Sequence, residues 1–237
     1  MSNNKKYKIL IVEDEESIRK FIKINLERND FIVLEAATGE EGLKKAREGK
    51  IDIVVLDIML PGIDGYEVCK ILRNEYPTMG IIMLTAKSQD VDKIMGLEYG
   101  TDDYMIKPFN PMELVLRVKS LLRRMEIVKV EENEDIIIYG PYKIDIYSRK
   151  FYKNDEEIEL TPTEYAIMKI FIENPGKAFK RDEILNWVWG YDFFGDPKIV
   201  DVNIRRLRSK IEDNPSKPKY IQTVWGVGYR WQRREDD

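Results

Sequence analysis

Carboxylate side chains directly follow two short apolar runs in the first half of the chain. Glu13 and Asp14 come after residues 9–12, and Asp57 comes after residues 51–56. Short apolar runs bounded by polar turn residues are typical of buried strands. If these two strands are neighbours in a parallel sheet, their carboxyl ends bring the three carboxylates together.

Such a cluster suits phosphoryl transfer to a carboxylate. Carboxylate oxygens bind Mg²⁺, and the ion offsets the charge of an incoming phosphoryl group. Asp57 would be the nucleophile that forms an acyl phosphate. Thr85 and Lys107 follow two further apolar runs and offer a hydroxyl and an ammonium group to phosphate oxygens. Each residue alone has an ordinary structural explanation, such as a turn cap or a surface cation, but together they favour a function.

The elements that must position these residues follow from the periodicity of the first half. Each strand-like run precedes a stretch with the helical period of apolar residues, and the runs occur at residues 9–12, 31–34, 51–56, 81–84 and 104–106. Five such units predict an α/β fold with helices on both faces of a parallel sheet. The common flavodoxin-like strand order for five units, 2-1-3-4-5, makes the first and third strands neighbours. A last helix is predicted from the cap Asn110 to about residue 124.

The second half of the chain has a different pattern. Residues 125–135 are acidic and lack a clear period, which predicts a linker between domains at residues 1–124 and 136–237. Alternation with period two then predicts short antiparallel strands at residues 142–146, 150–153 and 158–160. Three helices and a hairpin over residues 220–231 follow. These are the parts of an α+β winged helix-turn-helix domain.

Composition excludes several classes of protein. A chain of 237 residues is long enough for two domains, and it contains no apolar stretch approaching the roughly 20 residues of a membrane span. The N-terminus lacks the apolar core of a signal peptide, so we expect a cytoplasmic protein. Cys69 is the single cysteine, which excludes an internal disulfide, and the absence of histidine removes the usual ligands of zinc. Any metal is therefore expected to be bound by oxygen.

A basic stripe lies within the third predicted helix of the second half. The net charge of the chain is −4, but residues 198–210 contain five basic residues and one acid. Four apolar residues recur at helical spacing and should face the core, namely Val200, Ile204, Leu207 and Ile211. The opposite face is expected to carry Lys198, Val202, Arg205, Arg206 and Ser209. A major groove admits a helix with such a surface.

The motifs of the first half resemble the receiver domain of response regulators. The segments VEDE, VVLDIMLPGIDGYE, MLTA and DDYMIKPF carry this resemblance, which covers residues 7–124. It implies that Asp57 accepts phosphate from a sensor histidine kinase and that the bond between Lys107 and Pro108 is cis. Thr85 and Tyr104 would form a switch that responds to the phosphate. The implied Mg²⁺ ligands are Glu13, Asp14, Asp57 and the main-chain carbonyl of Met59. Met59 and Lys87 occupy positions that resemble those at which receiver domains tune the rate of dephosphorylation.

The second half resembles the output domain of the OmpR/PhoB type over about residues 136–232. The segments LTPTEYAIM, VWGYDFFGD, IVDVNIRRLRSKIE and IQTVWGVGYR carry this resemblance. It implies base contacts by Val202, Asn203 and Arg206, and a hydrogen bond from cytosine to Asp201. The residues implied to approach phosphates or sugars are Trp189, Lys198, Arg205, Arg208, Thr223 and Tyr229. Trp225 replaces an arginine that enters the minor groove in several relatives, so that contact is not carried over, and Trp187 is expected to pack in the core.

The resemblance also implies a homodimer that forms on phosphorylation. Its interface would contain Lys93, Asp102, Glu113, Arg117, Lys119 and Arg123, with intermolecular pairs of Lys93 with Glu113 and of Asp102 with Arg117. A flexible linker would let the two output domains bind promoter DNA head to tail, on direct repeats roughly 10–11 base pairs apart. RNA polymerase is a further expected partner.

Other function classes fit the sequence less well. A haloacid-dehalogenase-like phosphatase needs a second carboxylate two residues after its nucleophile, and Met59 stands there. No glycine-rich nucleotide-binding motif follows a strand. RNA is disfavoured because an A-form major groove excludes a reading helix. We therefore expect no enzyme acting on external substrates. An atypical regulator of the same fold that works without phosphate stays open, although the complete set of pocket residues argues against it.

Overall fold

The computed structural model of the protein describes residues 6–86, 99–126, 136–190, 193 and 196–232. The chain divides into two compact units, Met1–Arg123 and Arg124–Asp237. Lys87, Lys93 and most of the predicted linker lie outside the described residues, so the expectations for them stay predictions. Among the residues described, no helix is both long enough and apolar enough to cross a membrane.

The first unit alternates strands and helices along the chain. Its strands are β1 (Lys8–Val12), β2 (Ile32–Ala36), β3 (Ile53–Asp57), β4 (Gly80–Thr85) and β5 (Asp103–Ile106), and its helices are α1 (Glu16–Glu27), α2 (Gly39–Glu48), α3 (Gly65–Glu75) and α4 (Pro111–Met125). Each strand lies within two residues of its predicted run. The predicted cap at the start of α4 is present, because the Asn110 side chain accepts a hydrogen bond from the amide of Met112 at 2.9 Å.

The five strands form one parallel sheet in the order β2-β1-β3-β4-β5, which confirms the predicted topology. Every residue of β3 and β4 is buried. Central strands of a parallel sheet are covered on both faces, and for this reason their sequences are continuously apolar instead of alternating. The core of this unit therefore lies along the strands that end at the predicted pocket.

Gly65 allows α3 to begin beside the end of β3. A Cβ atom at this position would lie 2.1 Å from the carbonyl oxygen of Asp57, closer than any side chain tolerates. The side chain of Asp64 caps the helix by accepting a hydrogen bond from the amide of Glu67 at 2.9 Å. An aspartate followed by glycine thus starts α3 in contact with the backbone of the expected phosphoryl acceptor.

Within its described residues, the second unit combines three helices with two antiparallel sheets. Its strands are β6 (Ile136–Tyr139), β7 (Tyr142–Asp145), β8 (Lys150–Lys153), β9 (Glu156–Ile158), β10 (Ala178–Lys180), β11 (Ile221–Val224) and β12 (Gly228–Trp231), and its helices are α5 (Pro162–Glu173), α6 (Arg181–Trp189) and α7 (Lys198–Ile211). One sheet has the order β6-β7-β8-β9 and the other β10-β12-β11. The α+β winged helix-turn-helix architecture predicted from the sequence is confirmed.

Two short strands of this unit escape sequence analysis. β6 has the residues IIIY, which lack alternation, and β10 has only three residues. β9 begins two residues before the predicted run because its register with β8 pairs Ile158 with Phe151. β10 pairs with β12, where a Cβ atom at Gly228 would lie 2.2 Å from the carbonyl oxygen of Phe179. That glycine lets the hairpin join the three-stranded sheet, a tertiary requirement that local periodicity does not reveal.

Candidate functional site

The register of the parallel sheet places the pocket carboxylates side by side. Val12 of β1 is paired with Leu56 of β3. The residues that follow them, Glu13 and Asp57, therefore lie side by side at the carboxyl ends of the two strands. One carboxylate oxygen from each of Glu13, Asp14 and Asp57 lies within 4.8 Å of the others. Glu13 and Asp57 are buried and Asp14 is exposed, so the cluster opens toward solvent on one side.

Lys107 completes the pocket from the end of β5. Its ammonium nitrogen lies 2.7 Å from Oε2 of Glu13 and 3.0 Å from Oδ2 of Asp57. The backbone amide of Lys107 donates to the carbonyl of Thr85 at 2.7 Å, and the following bond to Pro108 is cis, as predicted. The lysine therefore bridges the two buried carboxylates from the neighbouring part of the same sheet edge.

Electrostatics in the pocket reflect burial and mutual charge. Burial raises the pKa of Glu13, and the nearby Asp57 carboxylate acts in the same direction, while the hydrogen bond from Lys107 opposes both. Burial lowers the pKa of Lys107, but the carboxylates of Glu13 and Asp57 outweigh it, so that the net shift is upward and the amine stays protonated. The pocket thus holds the protonated Lys107, which pairs with the carboxylates of both Glu13 and Asp57.

The donor set fits a hard divalent cation. All candidate ligand atoms are oxygens, as Mg²⁺ prefers. Oε1 of Glu13 is buried and has no hydrogen-bond partner in the described part of the chain. A buried acceptor without a partner costs stability, so this atom is suited to a ligand that the protein itself does not supply. The side chain of Met59 is exposed; the role of its carbonyl remains a prediction.

Arg19 supports the acidic loop and was not identified from the sequence. Its Nη1 donates to the main-chain carbonyls of Glu13 at 2.7 Å and Asp14 at 3.1 Å. Nε of Arg19 lies 3.7 Å from Oε1 of Glu35 on β2. A cation near the first turn of α1 is unfavourable toward the helix dipole, and that mismatch was the available signal. The arginine holds two successive carbonyls of the loop that carries the carboxylates.

The predicted switch residues lie in the core of the first unit. Thr85 ends β4 and Tyr104 lies on β5, and both side chains are buried. Tyr104 is paired with Met83, two residues before Thr85. The two residues are thus on adjacent strands next to the pocket, while their role in switching stays a prediction.

The expected DNA-reading face of α7 differs from the observed exposed face. Lys198 and Arg205 are exposed, as predicted. Val202 and Asn203 are buried, and the amide of Asn203 donates to the carbonyl of Ile199 at 2.8 Å. The prediction that these two side chains lie on an exposed reading surface is therefore wrong. A helical wheel gives the angle of each side chain but not which neighbours surround the helix, and α7 is covered over more than the one apolar stripe.

Arg206 is held by a buried carboxylate instead of facing outward. Its Nη2 lies 2.9 Å from Oε1 of Glu164, and Nζ of Lys210 lies 2.8 Å from Oε2 of the same residue. Glu164 also forms the capping box of α5 with Thr161. Burial raises the pKa of Glu164, but Arg206 and Lys210 outweigh it and hold that pKa below the usual range. Arg206 was expected on the exposed face, but it is only partly exposed because Glu164 is its partner.

The tryptophans of α6 are placed opposite to expectation. Trp187 was expected in the core but is exposed over 68% of its surface, whereas Trp189 is buried, with its ring centroid 5.9 Å from that of Phe193. Trp189 as placed does not face solvent, and the expectation that it approaches phosphates or sugars requires exposure it lacks. The two residues are 200° apart on an ideal helix, at roughly 100° per residue, and only the surrounding fold selects the inner one.

The hairpin of β11 and β12 carries the remaining expected contacts. Thr223 is exposed, Tyr229 is buried, and Trp225 at the tip is exposed over 91% of its surface. Arg208 donates from Nε and Nη2 to the carbonyl of Ile221, at 3.0 and 2.7 Å. Side chains expected to meet DNA are therefore partly engaged with the hairpin itself.

Three residues of the expected dimer interface, Asp102, Glu113 and Arg117, pair within the chain. Asp102 is buried and lies 2.9 Å from Nη2 of Arg73, while its expected intermolecular pair with Arg117 stays a prediction. Arg117 lies 2.8 Å from Asp103 and 2.6 Å from Glu113. Asp103 begins β5 and Asp102 immediately precedes it, and it is Asp103, not Asp102, that pairs with Arg117. Lys119 and Arg123 are exposed on α4.

Both units match known families. Residues 9–119 match the family described as response regulator receiver domain, and residues 155–231 match the family described as transcriptional regulatory protein, C terminal. A receiver fold with an acidic pocket, followed by a winged-helix unit, defines a transcriptional regulator of the two-component type.

Curated relatives and solved structures share this organisation over nearly the whole chain. The alkaline phosphatase synthesis transcriptional regulatory protein PhoP of Bacillus subtilis (strain 168) is 48% identical, over 94% of this chain and 95% of that protein. ResD of the same organism is 40% identical over 98% of both chains. DrrB, an OmpR/PhoB homologue from Thermotoga maritima, is 36% identical with a TM-score of 0.53, and a mutant of RitR is 27% identical with a TM-score of 0.76; each covers 96% of this chain and 100% of its own. The chain belongs to the OmpR/PhoB family of response regulators, whose members regulate transcription and are not enzymes on external substrates.

Proposed function

We propose that this protein accepts a phosphoryl group on Asp57 from a sensor histidine kinase and, as a phosphorylated dimer, binds direct repeats in promoter DNA. The observation that carries the proposal is the pocket itself. A buried aspartate, a protonated lysine at 3.0 Å and a second buried carboxylate meet at one edge of the parallel sheet, and one oxygen of that second carboxylate has no hydrogen-bond partner among the described residues. Phosphorylation and DNA binding are implied by the family, and the assignment of residues is ours.

Each pocket residue has a distinct part in the transfer. The carboxylate of Asp57 attacks the phosphorus atom, and the bond from phosphorus to the kinase imidazole nitrogen breaks with its electron pair returning to that nitrogen. Lys107 exchanges its contact with Asp57 for a phosphoryl oxygen and thereby neutralises part of the new charge. Bound Mg²⁺ would be held by Glu13, Asp14, Asp57 and the carbonyl of Met59, and it supplies charge neutralisation at the phosphoryl oxygens.

Thr85 and Tyr104 would transmit the phosphorylated state. The hydroxyl of Thr85, at the end of the strand next to Asp57, would donate a hydrogen bond to the new phosphoryl group. Its movement would change the space available to Tyr104 on the adjoining strand. The pairing of β4 with β5 supports this assignment, because Tyr104 is paired with Met83, two residues before Thr85.

The face used for dimerisation would include α4. Met112 and Leu116 are four residues apart on this helix and are exposed over 51% and 47% of their surfaces. Lys119 and Arg123 follow on the same helix and are exposed. In a dimer, a second copy of this face would cover the apolar pair. The surrounding charges would set the register of the two helices more than the affinity. Substituting Leu116 by Glu should abolish the dimer, whereas Ile24→Glu, an equally exposed apolar residue on α1, should leave it intact.

Lys198 and Arg205 would provide sequence-independent contacts to phosphates. Both are exposed on α7, the helix suited to the major groove. With a flexible linker between the units, the two output domains of a dimer would lie head to tail, on half-sites roughly 10–11 base pairs apart. The protein would act in the cytoplasm, where promoter DNA is, and RNA polymerase would be a further partner.

A phosphate mimic tests the whole proposal in one experiment. Beryllofluoride with Mg²⁺ should convert the native protein from monomer to dimer in sedimentation and raise its affinity for a DNA site selected from random sequences. Asp57→Asn, measured in parallel, should show neither change. If the native protein binds DNA equally tightly with and without the mimic, the phosphate-independent regulator is correct instead. Recovery of inverted repeats in the selection would overturn the head-to-tail arrangement alone.

A further inference from the structure

We propose that Asp201 is a positioning residue that fastens the hairpin of β11 and β12 to the reading helix α7, and that it does not accept a hydrogen bond from a base. The proposal rests on the DNA-binding function proposed above. It concerns how the two DNA-facing elements are held at a fixed angle, which neither the family nor the phosphorylation chemistry specifies.

One oxygen of Asp201 joins three elements of the second unit. Oδ1 accepts a hydrogen bond from Nε of Arg181, the first residue of α6, at 2.7 Å. The same atom accepts from the hydroxyl of Tyr229 on β12 at 2.8 Å. Nη2 of Arg181 in turn donates to that hydroxyl at 3.2 Å. The three side chains form a closed triangle, so moving any one of them breaks two contacts.

The triangle is placed where a base contact would have to compete with it. A carboxylate oxygen has about two acceptor positions, and both at Oδ1 are taken by partners within the protein, so a base contact would be left to Oδ2. The guanidinium carbon of Arg181 also lies 5.0 Å from the centroid of the Tyr229 ring, which adds a cation–π contact. Burial and the Asp201 carboxylate raise the pKa of Tyr229, so its hydroxyl remains a donor.

A second fastening lies two turns further along the same helix. Arg208 follows Asp201 by seven residues and donates to the carbonyl of Ile221 and, at 3.0 Å, to Oγ1 of Thr223. Its guanidinium carbon lies 5.5 Å from the Tyr229 ring centroid. Residues seven apart share one helix face, so Asp201 and Arg208 hold both strands of the hairpin along the length of α7.

A fixed angle between helix and hairpin matters for binding because each element meets a different part of the duplex. Ordering a loose hairpin on binding costs free energy that a preorganised one avoids. Loss of the fastening should therefore weaken all DNA sequences alike. A base-reading aspartate would behave differently, since its removal relaxes the preference at one base pair.

A double-mutant cycle separates the two roles. Asp201→Ala and Tyr229→Phe should each weaken DNA binding about three- to tenfold, and the double variant should lose no more than Asp201→Ala alone, because both remove the same hydrogen bond. Base preference, measured over all single base-pair variants of the selected site, should not change. Asp201→Asn should retain more affinity than Asp201→Ala, since its amide oxygen still accepts from Tyr229.

Hydrogen exchange of the DNA-free protein tests the fastening independently of the proposed function. Amides of residues 221–231 should exchange faster in Asp201→Ala and in Tyr229→Phe, and at the native rate in Arg205→Ala, an exposed control on the same helix. Unchanged exchange in the first two variants, or multiplicative losses in the cycle, would overturn the proposal. So would a change of preference at one base pair confined to the Asp201 variants. If exchange responds but the native protein binds no duplex, DNA binding fails while the fastening stands.

Discussion

Charged residues have different partners in the acidic pocket and on the reading helix α7. In the pocket, Glu13 has a buried oxygen that no described residue contacts with a hydrogen bond, and Asp57 shares the cation of Lys107 with Glu13. On α7, Arg206 is committed to Glu164, and Arg208 to the hairpin. The pocket leaves ligand-binding capacity unfilled, whereas much of the helix uses its cations to hold the domain together.

The contrast teaches that residue type at a strand end is a better guide to function than residue type on a helix face. In a parallel sheet, the register fixes where each strand delivers its next side chain, so a charged residue there meets the other strand ends. On a helix, roughly every direction can be covered by some neighbour, and a basic residue is as readily an internal partner as an external contact.

The largest expected effect is on phosphoryl acceptance. Asp57→Asn should abolish labelling by acetyl phosphate, because the amide keeps the size of the side chain but is not a nucleophile. Asp64→Asn is the matched control: asparagine caps a helix as well as aspartate, so labelling should continue. Radiolabel counting or intact-mass measurement follows both. Mg²⁺-dependent labelling of Asp57→Asn at another residue would show that Asp57 is not the phosphoryl acceptor.

Arg206 should matter more for stability than for reading bases. Arg206→Ala removes one of the two cations that pair with the buried Glu164 carboxylate and should cost about 1–3 kcal/mol of unfolding free energy. Arg205→Ala, its exposed neighbour, should change that free energy by less than about 0.5 kcal/mol. Urea unfolding followed by tryptophan fluorescence reports the second unit, because all four tryptophans lie at residues 187–231. Equal stability of the two variants would contradict a structural role of Arg206 as the partner of Glu164.

The same ion cluster predicts a pH dependence. The pKa of Glu164 is held below its ordinary value of 4.5 in the folded state, so the folded chain binds fewer protons than the unfolded chain near that pH. Its contribution to stability is therefore complete above about pH 4.5 and is lost as the pH falls through the lower, folded-state pKa. Glu164→Gln should be less stable than the native protein at neutral pH, and the difference should shrink in acid. Unfolding curves at several pH values would reveal a constant difference if this is wrong.

The smallest expected effect is at the exposed cations. Arg205→Ala should weaken binding to every DNA sequence alike and reduce the slope of log affinity against log salt by about one, as the loss of one phosphate contact requires. Ser209→Ala, an exposed position on the same helix, provides the control with no change in charge. Affinities measured across a range of salt concentrations give the slope. A base-specific loss in Arg205→Ala would mean that it, and not Arg206, contacts base edges.

Elements set by short-range rules were predicted correctly. The five strand runs, the cap at Asn110 and the hairpin within residues 220–231 follow from apolar periodicity and turn chemistry, which are local properties. The convergence of Glu13, Asp57 and Lys107 was also predicted, although the residues are far apart in the chain. It needed only the strand order, which few topologies for five βα units allow.

Other assignments failed because they depended on contacts between distant segments. Trp187 and Trp189 are two residues apart in the same helix, and their types do not indicate which one is inside. Asp102 and Asp103 are adjacent at the start of β5, and the partners Arg73 and Arg117 on two helices decide their roles. Arg19 belongs to no motif, and only the tertiary structure brings it to the main-chain carbonyls of Glu13 and Asp14.

The sequence by itself determined the elements of the first sheet, their order and the convergence of Glu13, Asp57 and Lys107, since the ends of neighbouring strands in a parallel sheet meet at the same edge. Only the tertiary structure decided which charges remain available to a ligand. That outcome depends on whether a carboxylate such as Glu164 or Asp201 lies within about 3 Å of each cation, because the strength of a charge-assisted hydrogen bond depends on distance and geometry that residue type does not encode.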